Sequence, residues 1–157
     1  MDTGKDIKVS VCCITYNHLP YLRQCLDGLL MQKTTFDFEI LLHDDASTDG
    51  TTDIVREYAA AYPDLIRPVI QTENQYSSKT RAIITTYLLP LAKGKYIALC
   101  EGDDYWTDPL KLQSKSIYWR TIRVFRSAHM RQQRFTLMGG ERPAFSIARI
   151  KLLLWPM

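Results

Sequence analysis

Two acidic clusters, each at the end of an apolar run, constrain the fold of this chain more than any other feature of its sequence. The run at residues 40–42 leads to Asp44 and Asp45, and the run at residues 96–99 leads to the cluster at 101–104. Carboxylates at the carboxyl end of a buried strand lie where open α/β sheets bind their ligands. The pattern therefore predicts a ligand site at this edge of the sheet, with carboxylates that suit a divalent metal.

Strand and helix signals alternate between residues 7 and 113. Apolar runs rich in β-branched residues predict strands at 7–14, 38–42, 65–71 and 96–100. Helices are predicted from Pro20 past Leu30, from Asp49 or Thr51 to Tyr62, and over 79–91 with a late break at Pro90. Strands joined by helices of this length need parallel crossovers, so we expect a doubly wound, mostly parallel α/β sheet. The sequence has no GxGxxG or GxxxxGK[ST] loop, which argues against an ordinary dinucleotide or ATP site.

The sequence contains no apolar run of about 18 residues, so no transmembrane helix is predicted and a cytoplasmic protein is expected. The polar N-terminus also lacks the apolar core of a signal peptide. The sequence has four cysteines, and no two of them have the Cys-x-x-Cys spacing of many metal sites. Because a cytoplasmic protein is expected, we expect the cysteines to be buried, reduced thiols rather than disulfides.

The second acidic cluster, residues 101–104, offers the ligand type that Mg²⁺ and Mn²⁺ prefer. These cations take hard oxygen ligands and usually keep waters and substrate phosphates in their shell. One or two carboxylates at a strand end are enough if a diphosphate supplies the rest, and Gly102 lets a ligand approach the backbone closely. A solvated acidic turn before Pro109 explains the same residues equally well, and both interpretations stay open at this point.

The first acidic cluster has two interpretations that are compatible with each other. Asp44 and Asp45 can accept hydrogen bonds from a base N–H or a ribose hydroxyl, while residues 49–51 simply start the next helix. Residues 15–17, which follow the first strand, could line the same crevice. Tyr16 could stack on a base there, although a tyrosine at a strand end is more often a packing residue.

Three segments, taken in order, resemble the large inverting glycosyltransferase family 2. Residues 9–17, VSVCCITYN, look like the opening strand of that family. Residues 44–51, DDASTDGT, resemble its second-strand signature, usually written DDGSTDGT. Residues 101–104, EGDD, resemble its DxD metal motif with Glu in place of the first Asp, and residues 105–113 continue the match. The resemblance covers residues 7–113.

The resemblance implies a Rossmann-like GT-A fold that binds a nucleoside-diphosphate sugar, most often a UDP-sugar. It also implies transfer of a glycosyl group, with inversion, to a glycan or lipid-linked acceptor in bacterial surface polysaccharide biosynthesis. Mg²⁺ or Mn²⁺ would bridge the diphosphate, with Asp103 as its ligand. The residues expected to bind the donor are Thr15, Tyr16, Asn17, Asp44, Asp45, Arg81, Glu101 and Asp104. No nucleic-acid partner is expected, association with the inner face of the membrane is left open, and so is the oligomeric state.

The last part of the chain, residues 114–157, departs from the family pattern. It carries 9 Lys and Arg against 1 acid, Glu141, whereas residues 1–113 carry 11 Lys and Arg against 16 acids. Residues 114–125 can be back-translated with suitable synonymous codons and then translated in a shifted reading frame. The resulting sequence has the pattern of an amphipathic helix and turn, which the family places at this point. We therefore expect residues 1–113 to be the donor-binding region, and residues 114–157 to be an irregular or helical basic tail that is out of frame.

Inverting transfer needs a general base, and none is identified in this sequence, because Glu141 has no predicted strand ahead of it. We accordingly expect a truncated glycosyltransferase with weak donor binding and little transfer. Two alternatives are a non-catalytic nucleotide-sugar-binding module and a basic-tailed adaptor for polyanions or membranes.

Overall fold

Five parallel strands form one sheet in the computed structural model, which describes residues 6–78, 82–115 and 151–153. The strands are β1 (Ile7–Thr15), β2 (Asp37–Asp44), β3 (Ile66–Ile70), β4 (Tyr96–Glu101) and β5 (Lys151–Leu153). Their order across the sheet is β3-β2-β1-β4-β5, so the chain runs outward from β1 to one edge and then returns to the other side. This is the predicted doubly wound arrangement, and the point where the strand order reverses lies between β1 and β4.

Two α-helices, α1 (Leu22–Leu30) and α2 (Thr51–Ala61), connect the first three strands. The buried side chains of α1 recur at the spacing of an amphipathic helix and include Leu22, Cys25, Leu26 and Leu29. Gly50 precedes α2 with a φ of 100°, a left-handed conformation that glycine adopts at low cost. The predicted cap Asp49 accepts hydrogen bonds from the backbone N–H (3.0 Å) and hydroxyl (2.6 Å) of Thr51, although Gly50 occupies the N-cap position.

Both faces of the sheet are covered, which explains why the strands are apolar at consecutive positions. Val11 and Cys13 of β1 belong to the core that includes α1 and α2. Cys12, between them in sequence, belongs to a separate core on the other face, together with Leu88 and Ile97. The alternation follows from the two-residue period of a strand.

The third predicted helix, over residues 79–91, differs from a regular α-helix in the structure. A π-helix spans Ile84–Leu88 and a 3₁₀-helix spans Leu89–Leu91, while residues 79–81 lie outside the described part of the chain. Pro90 has no N–H to donate within a helix, and the β-branched residues at 83–86 disfavour regular helical packing of side chains.

The prediction of an irregular or helical tail is wrong for residues 151–153, which form β5 and pair in parallel with Tyr96–Ala98 of β4. The physical reason is that an outer strand presents unpaired backbone N–H and C=O groups, which any extended segment can satisfy. Residues 116–150 and 154–157 lie outside the described residues. Within the described ranges, no helix has the length and apolar character that crossing a membrane requires.

Candidate functional site

The carboxyl ends of β1, β2 and β4 meet at one edge of the sheet, as the sequence predicts for parallel strands. Thr15 pairs with Asp44 of β2, and Ile14 pairs with Glu101 of β4. Backbone hydrogen bonds extend this contact past the strand ends, because the N–H of Gly102 donates to the Ile14 carbonyl at 2.8 Å. The two acidic clusters therefore flank the loop that follows β1.

A pocket of about 360 Å³ opens at this edge, within the size range of small-molecule sites. Four of the predicted donor-binding residues line it: Thr15, Tyr16, Asp45 and Glu101. Residues that the sequence analysis did not assign to the site also line it, and they include His18, His43, Asn74, Tyr76 and Ile83. Proximity to a strand end is the signal that could have found several of them, because residues 74–77 follow β3 and His18 follows β1.

Asp44 is fully buried and lies outside the pocket lining. Its carboxylate accepts hydrogen bonds from the backbone N–H of Ser47 (3.2 Å) and from the hydroxyls of Ser47 and Thr52. Both carboxylate oxygens are thus engaged in holding the loop between β2 and α2. Asp44 therefore fixes the conformation of the loop that follows β2.

Asn17 also lies outside the pocket lining, in the loop after β1. It has a positive φ of 53°, which asparagine tolerates better than most residues. Its side-chain oxygen accepts the N–H of Thr48 at 2.8 Å, and its own N–H donates to the Ser47 hydroxyl at 2.9 Å. Asn17 therefore joins the loops that follow β1 and β2.

Asp45 lies at the pocket wall with only 4% of its surface exposed. Its two carboxylate oxygens accept the backbone N–H groups of Gln75 (2.7 Å) and Tyr76 (3.0 Å). This pair of charge-assisted hydrogen bonds attaches the segment after β3 to the end of β2. As a result, Asn74 and Tyr76 reach the same pocket as Thr15.

The second acidic cluster forms a tight turn in which the N–H of Asp104 donates to the Glu101 carbonyl at 3.0 Å. The side chains of Glu101, Asp103 and Asp104 are exposed. A Cβ atom at Gly102 would lie 2.6 Å from the Thr15 hydroxyl oxygen, so the turn can approach β1 this closely only because residue 102 is glycine.

The residues of this turn fit a hard divalent cation held jointly with substrate. Among the described residues, the carboxylates of 101–104 do not form a cluster of three converging ligands. Mg²⁺ and Mn²⁺ need only one or two carboxylates when phosphates and waters complete the shell. The buried Thr15 Oγ1 and His18 Nδ1 beside the turn have no hydrogen-bond partner, so the site retains unused polar capacity.

His43 is a fully buried imidazole in the pocket wall. Burial lowers the pKa of its side chain, against the opposing attraction of the Asp45 and Asp44 carboxylates, so the neutral form is favoured. Its Nε2 lies 3.3 Å from the Gln71 amide nitrogen and its ring stacks on Tyr87, whereas Nδ1 has no partner. If the amide N–H donates to Nε2, then Nδ1 carries the proton and is a donor without an acceptor.

The prediction for Arg81 as a phosphate ligand falls on a residue outside the described part of the chain. Asp104, also predicted to contact the donor, lies outside the pocket lining, on the exposed turn.

Comparison with protein families decides the classification of this chain. The model of glycosyl transferase family 2 matches residues 10–114, about two thirds of the chain. The chain belongs to glycosyltransferase family 2. The match contains both acidic clusters and the loop after β1, so the family 2 region and the pocket coincide.

Two curated proteins are similar in sequence to this family 2 chain. An uncharacterized protein of Mycobacterium tuberculosis is 46% identical over 111 residues, which cover 70% of this chain and 31% of that protein. The Escherichia coli enzyme WfaP, a UDP-Glc:α-D-GlcNAc-diphosphoundecaprenol β-1,3-glucosyltransferase, is 32% identical over 117 residues, which cover 74% of this chain and 43% of that enzyme. The chain thus spans less than half of the length of both relatives.

The mannosyltransferase PcManGT of Pyrobaculum calidifontis, solved in complex with GDP-Man and Mn²⁺, shares the fold of the family 2 region. The TM-score is 0.58 at 28% identity, over 75% of this chain and 36% of that one. This likeness confirms the predicted Rossmann-like α/β fold of the GT-A type.

Proposed function

We propose that this chain carries the nucleotide-sugar-binding region of a glycosyltransferase that uses a UDP-sugar and a divalent cation. The observation that carries the proposal is the convergence of Thr15, Asp45 and Glu101, from three neighbouring strands, on one pocket beside the exposed turn at 101–104. The UDP-Glc donor of WfaP and the GDP-Man complex of PcManGT support a nucleotide-sugar donor.

The nucleoside would occupy the pocket itself. Tyr16 and Tyr76 are exposed aromatic rings at its wall and offer faces on which a base can stack. Thr15 Oγ1 and His43 Nδ1 are buried polar atoms without partners, a state that costs free energy in the free protein. A base or ribose would recover that cost if the pocket wall moved on binding, because neither atom is exposed to solvent in the free protein.

The diphosphate would lie along the turn at 101–104, where Asp103, with Glu101 or Asp104, would hold Mg²⁺ or Mn²⁺. A cation bound there would neutralise charge on the leaving nucleoside diphosphate. The Mn²⁺ in the PcManGT complex supports a divalent metal. The Asp103 carboxylate is already exposed, so it could bind the metal without a conformational change that brings a buried charge to the surface.

The acceptor in this proposal is a glycan or a lipid-linked sugar, and the sugar is transferred with inversion during surface polysaccharide synthesis. The diphosphoundecaprenol-linked acceptor of WfaP supports the lipid-linked form. Such an acceptor would bring the protein to the cytoplasmic face of the membrane. Inversion requires a general base, and we assign that role to no residue of this chain.

We place the end of the donor-binding region at residue 113. The helical segment 111–115 is attached to the residues just after α1, because the backbone N–H of Leu112 donates to the side-chain oxygen of Gln32 at 3.0 Å. Gln113 reaches the segment before β2, where its side-chain oxygen accepts the Thr35 N–H at 2.9 Å. These contacts support including residues up to 113 in the same unit as the sheet.

The test is calorimetric titration of UDP into the full chain, with and without Mn²⁺. We expect binding that depends on Mn²⁺ and that weakens at least about tenfold in Asp103→Asn, because the substitution removes the charged ligand. Asp53→Asn is the matched control, since it makes the same change at an exposed position on α2. A wild-type chain that is folded by circular dichroism but does not bind UDP, or an Asp103→Asn variant that binds like wild type, would overturn the proposal.

A further inference from the structure

Three cysteine thiols from distant parts of the sequence meet in the core beneath the turn at 101–104. Cys13 comes from β1, Cys25 from α1 and Cys100 from β4, and all are at least 95% buried. Their sulfur atoms lie within 4.8 Å of one another. No role in donor binding or transfer requires them. We propose that these three thiolates and the backbone carbonyl of Glu101 form a tetrahedral site for a thiophilic divalent cation, Zn²⁺.

Four of the six distances among the donor atoms match an S₃O zinc site, and the Cys13 and Cys100 sulfurs lie within 4.8 Å of each other. The sulfur of Cys25 lies 3.9 Å from that of Cys13 and 3.8 Å from that of Cys100. The carbonyl oxygen of Glu101 lies 3.4 Å from the Cys25 sulfur and 3.5 Å from the Cys100 sulfur. Zinc bonds are about 2.3 Å long to sulfur and about 2.1 Å long to oxygen. In a tetrahedral site these bond lengths put two sulfur ligands about 3.8 Å apart, and a sulfur and an oxygen ligand about 3.6 Å apart.

The position of the carbonyl makes the fourth ligand available without rearrangement of the strands. Glu101 ends β4, so beyond it the backbone leaves the ladder and its carbonyl is free to face the thiols. That oxygen also accepts the N–H of Asp104 at 3.0 Å, and a carbonyl oxygen has a second lone pair for another partner.

The charge balance also suits a divalent cation. Each thiol that enters the coordination shell forms one Zn–S bond and releases one proton to solvent, so three thiolates with Zn²⁺ leave a net charge of −1. The ammonium group of Lys111 favours a thiolate at Cys100, whereas the nearby Asp103 carboxylate opposes it. A monovalent soft ion would leave a charge of −2 in the core, at a higher desolvation cost.

The two metal sites have different chemistry and do not compete. Thiolates select soft or borderline cations, whereas the exposed carboxylates at 101–104 select Mg²⁺ or Mn²⁺. The inference therefore stands independently of the proposed function, although both sites share the backbone of Glu101. Zinc bound below the turn would brace the strand end on which the donor site is built.

The experiment uses the full chain, purified under reducing conditions, stripped with a chelator and titrated with Co²⁺. We expect one equivalent of Co²⁺ to produce visible bands of a tetrahedral ion and a thiolate-to-cobalt charge-transfer band, both abolished by one equivalent of Zn²⁺. Cys25→Ala should lose the charge-transfer band. Cys12→Ala is the matched control, because it removes a buried thiol from the adjacent position on the other face of the sheet, and it should keep the band.

Alkylation of the wild-type chain provides a second readout that needs no variant. After partial unfolding in urea, Zn²⁺ should slow the modification of Cys13, Cys25 and Cys100 at least tenfold more than that of Cys12, as measured by mass spectrometry of peptides. The inference is overturned if the folded wild type gives no charge-transfer band, if Cys12→Ala loses the band as Cys25→Ala does, or if Zn²⁺ protects all four thiols equally.

Discussion

The imidazole Nε2 of His18 lies 3.9 Å from a carboxylate oxygen of Asp103. This separation exceeds a direct hydrogen bond, so the two groups interact through space or through a water molecule. His18 follows β1 and Asp103 follows β4, so the pair bridges the strand ends on either side of the point where the sheet order reverses. Through this pair, the loop after β1 can influence the carboxylate proposed to hold the metal.

Replacing His18 by Asn should therefore weaken Mn²⁺-dependent UDP binding by about tenfold or less, at the lower end of the range for residues that orient a metal ligand. Calorimetric titration of UDP at several Mn²⁺ concentrations measures the effect. The loss should be smaller than in Asp103→Asn, because the carboxylate remains. Unchanged affinity in His18→Asn would show that the imidazole does not position Asp103.

Asp45→Asn should lower the free energy of unfolding by about 1.5–3 kcal/mol, the value of hydrogen bonds to a charged group. The asparagine amide keeps one acceptor oxygen, but its NH₂ group would face the backbone N–H of residue 75 or 76. Two donors would then face each other, and one hydrogen bond would be lost. Urea unfolding followed by circular dichroism measures the change. Asp64→Asn, at an exposed position, is the control and should stay within about 0.5 kcal/mol of wild type. An equally small effect for Asp45→Asn would show that its carboxylate does not hold the segment after β3.

Gly102→Ala should destabilise the chain by about 1–3 kcal/mol, because the new methyl group overlaps the Thr15 side chain. The double variant with Thr15→Ala should recover part of the loss, since it removes the oxygen that lies 2.6 Å from the added carbon. A contact with the Thr15 Cβ at 2.8 Å remains, so recovery should be incomplete. Strictly additive effects in urea unfolding would show that the two side chains do not meet.

Acidification should destabilise the fold through His43. Burial lowers the pKa of this imidazole, so between its folded pKa and its ordinary value of about 6.5 the unfolded chain binds more protons than the folded chain. The contribution of His43 to the free energy of unfolding is therefore fully present above about pH 6.5. That contribution is lost as the pH falls below this value toward the lowered pKa of the folded state.

Urea midpoints at pH 7.5 and pH 5.5 test this, with His43→Phe as the variant, because phenylalanine keeps an aromatic ring beside Tyr87. The wild type should lose more stability between the two pH values than His43→Phe does. Equal losses in wild type and His43→Phe would exclude His43 as the cause.

Much of the fold follows from local sequence patterns. The strands β1, β2, β3 and β4 and the helices α1 and α2 are predicted correctly, because apolar periodicity is a property of neighbouring residues. The meeting of Thr15, Asp45 and Glu101 was predicted as well, since parallel strands bring their carboxyl ends to one edge. Membership of family 2 is likewise carried by the sequence, because the family model matches residues 10–114.

Other features depend on the register between strands and on side-chain partners far away in sequence, which periodicity does not encode. Asp44 and Asp45 are adjacent and chemically identical, yet only the structure separates a loop-organising residue from a residue at the pocket wall. The pairing of β5 with β4 and the meeting of three thiols likewise appear only in three dimensions. The sequence by itself determined the first four strands, the acidic ends of β2 and β4, and the family, because these are local. Tertiary structure decided which oxygens and sulfurs face one another, because that depends on how distant segments pack.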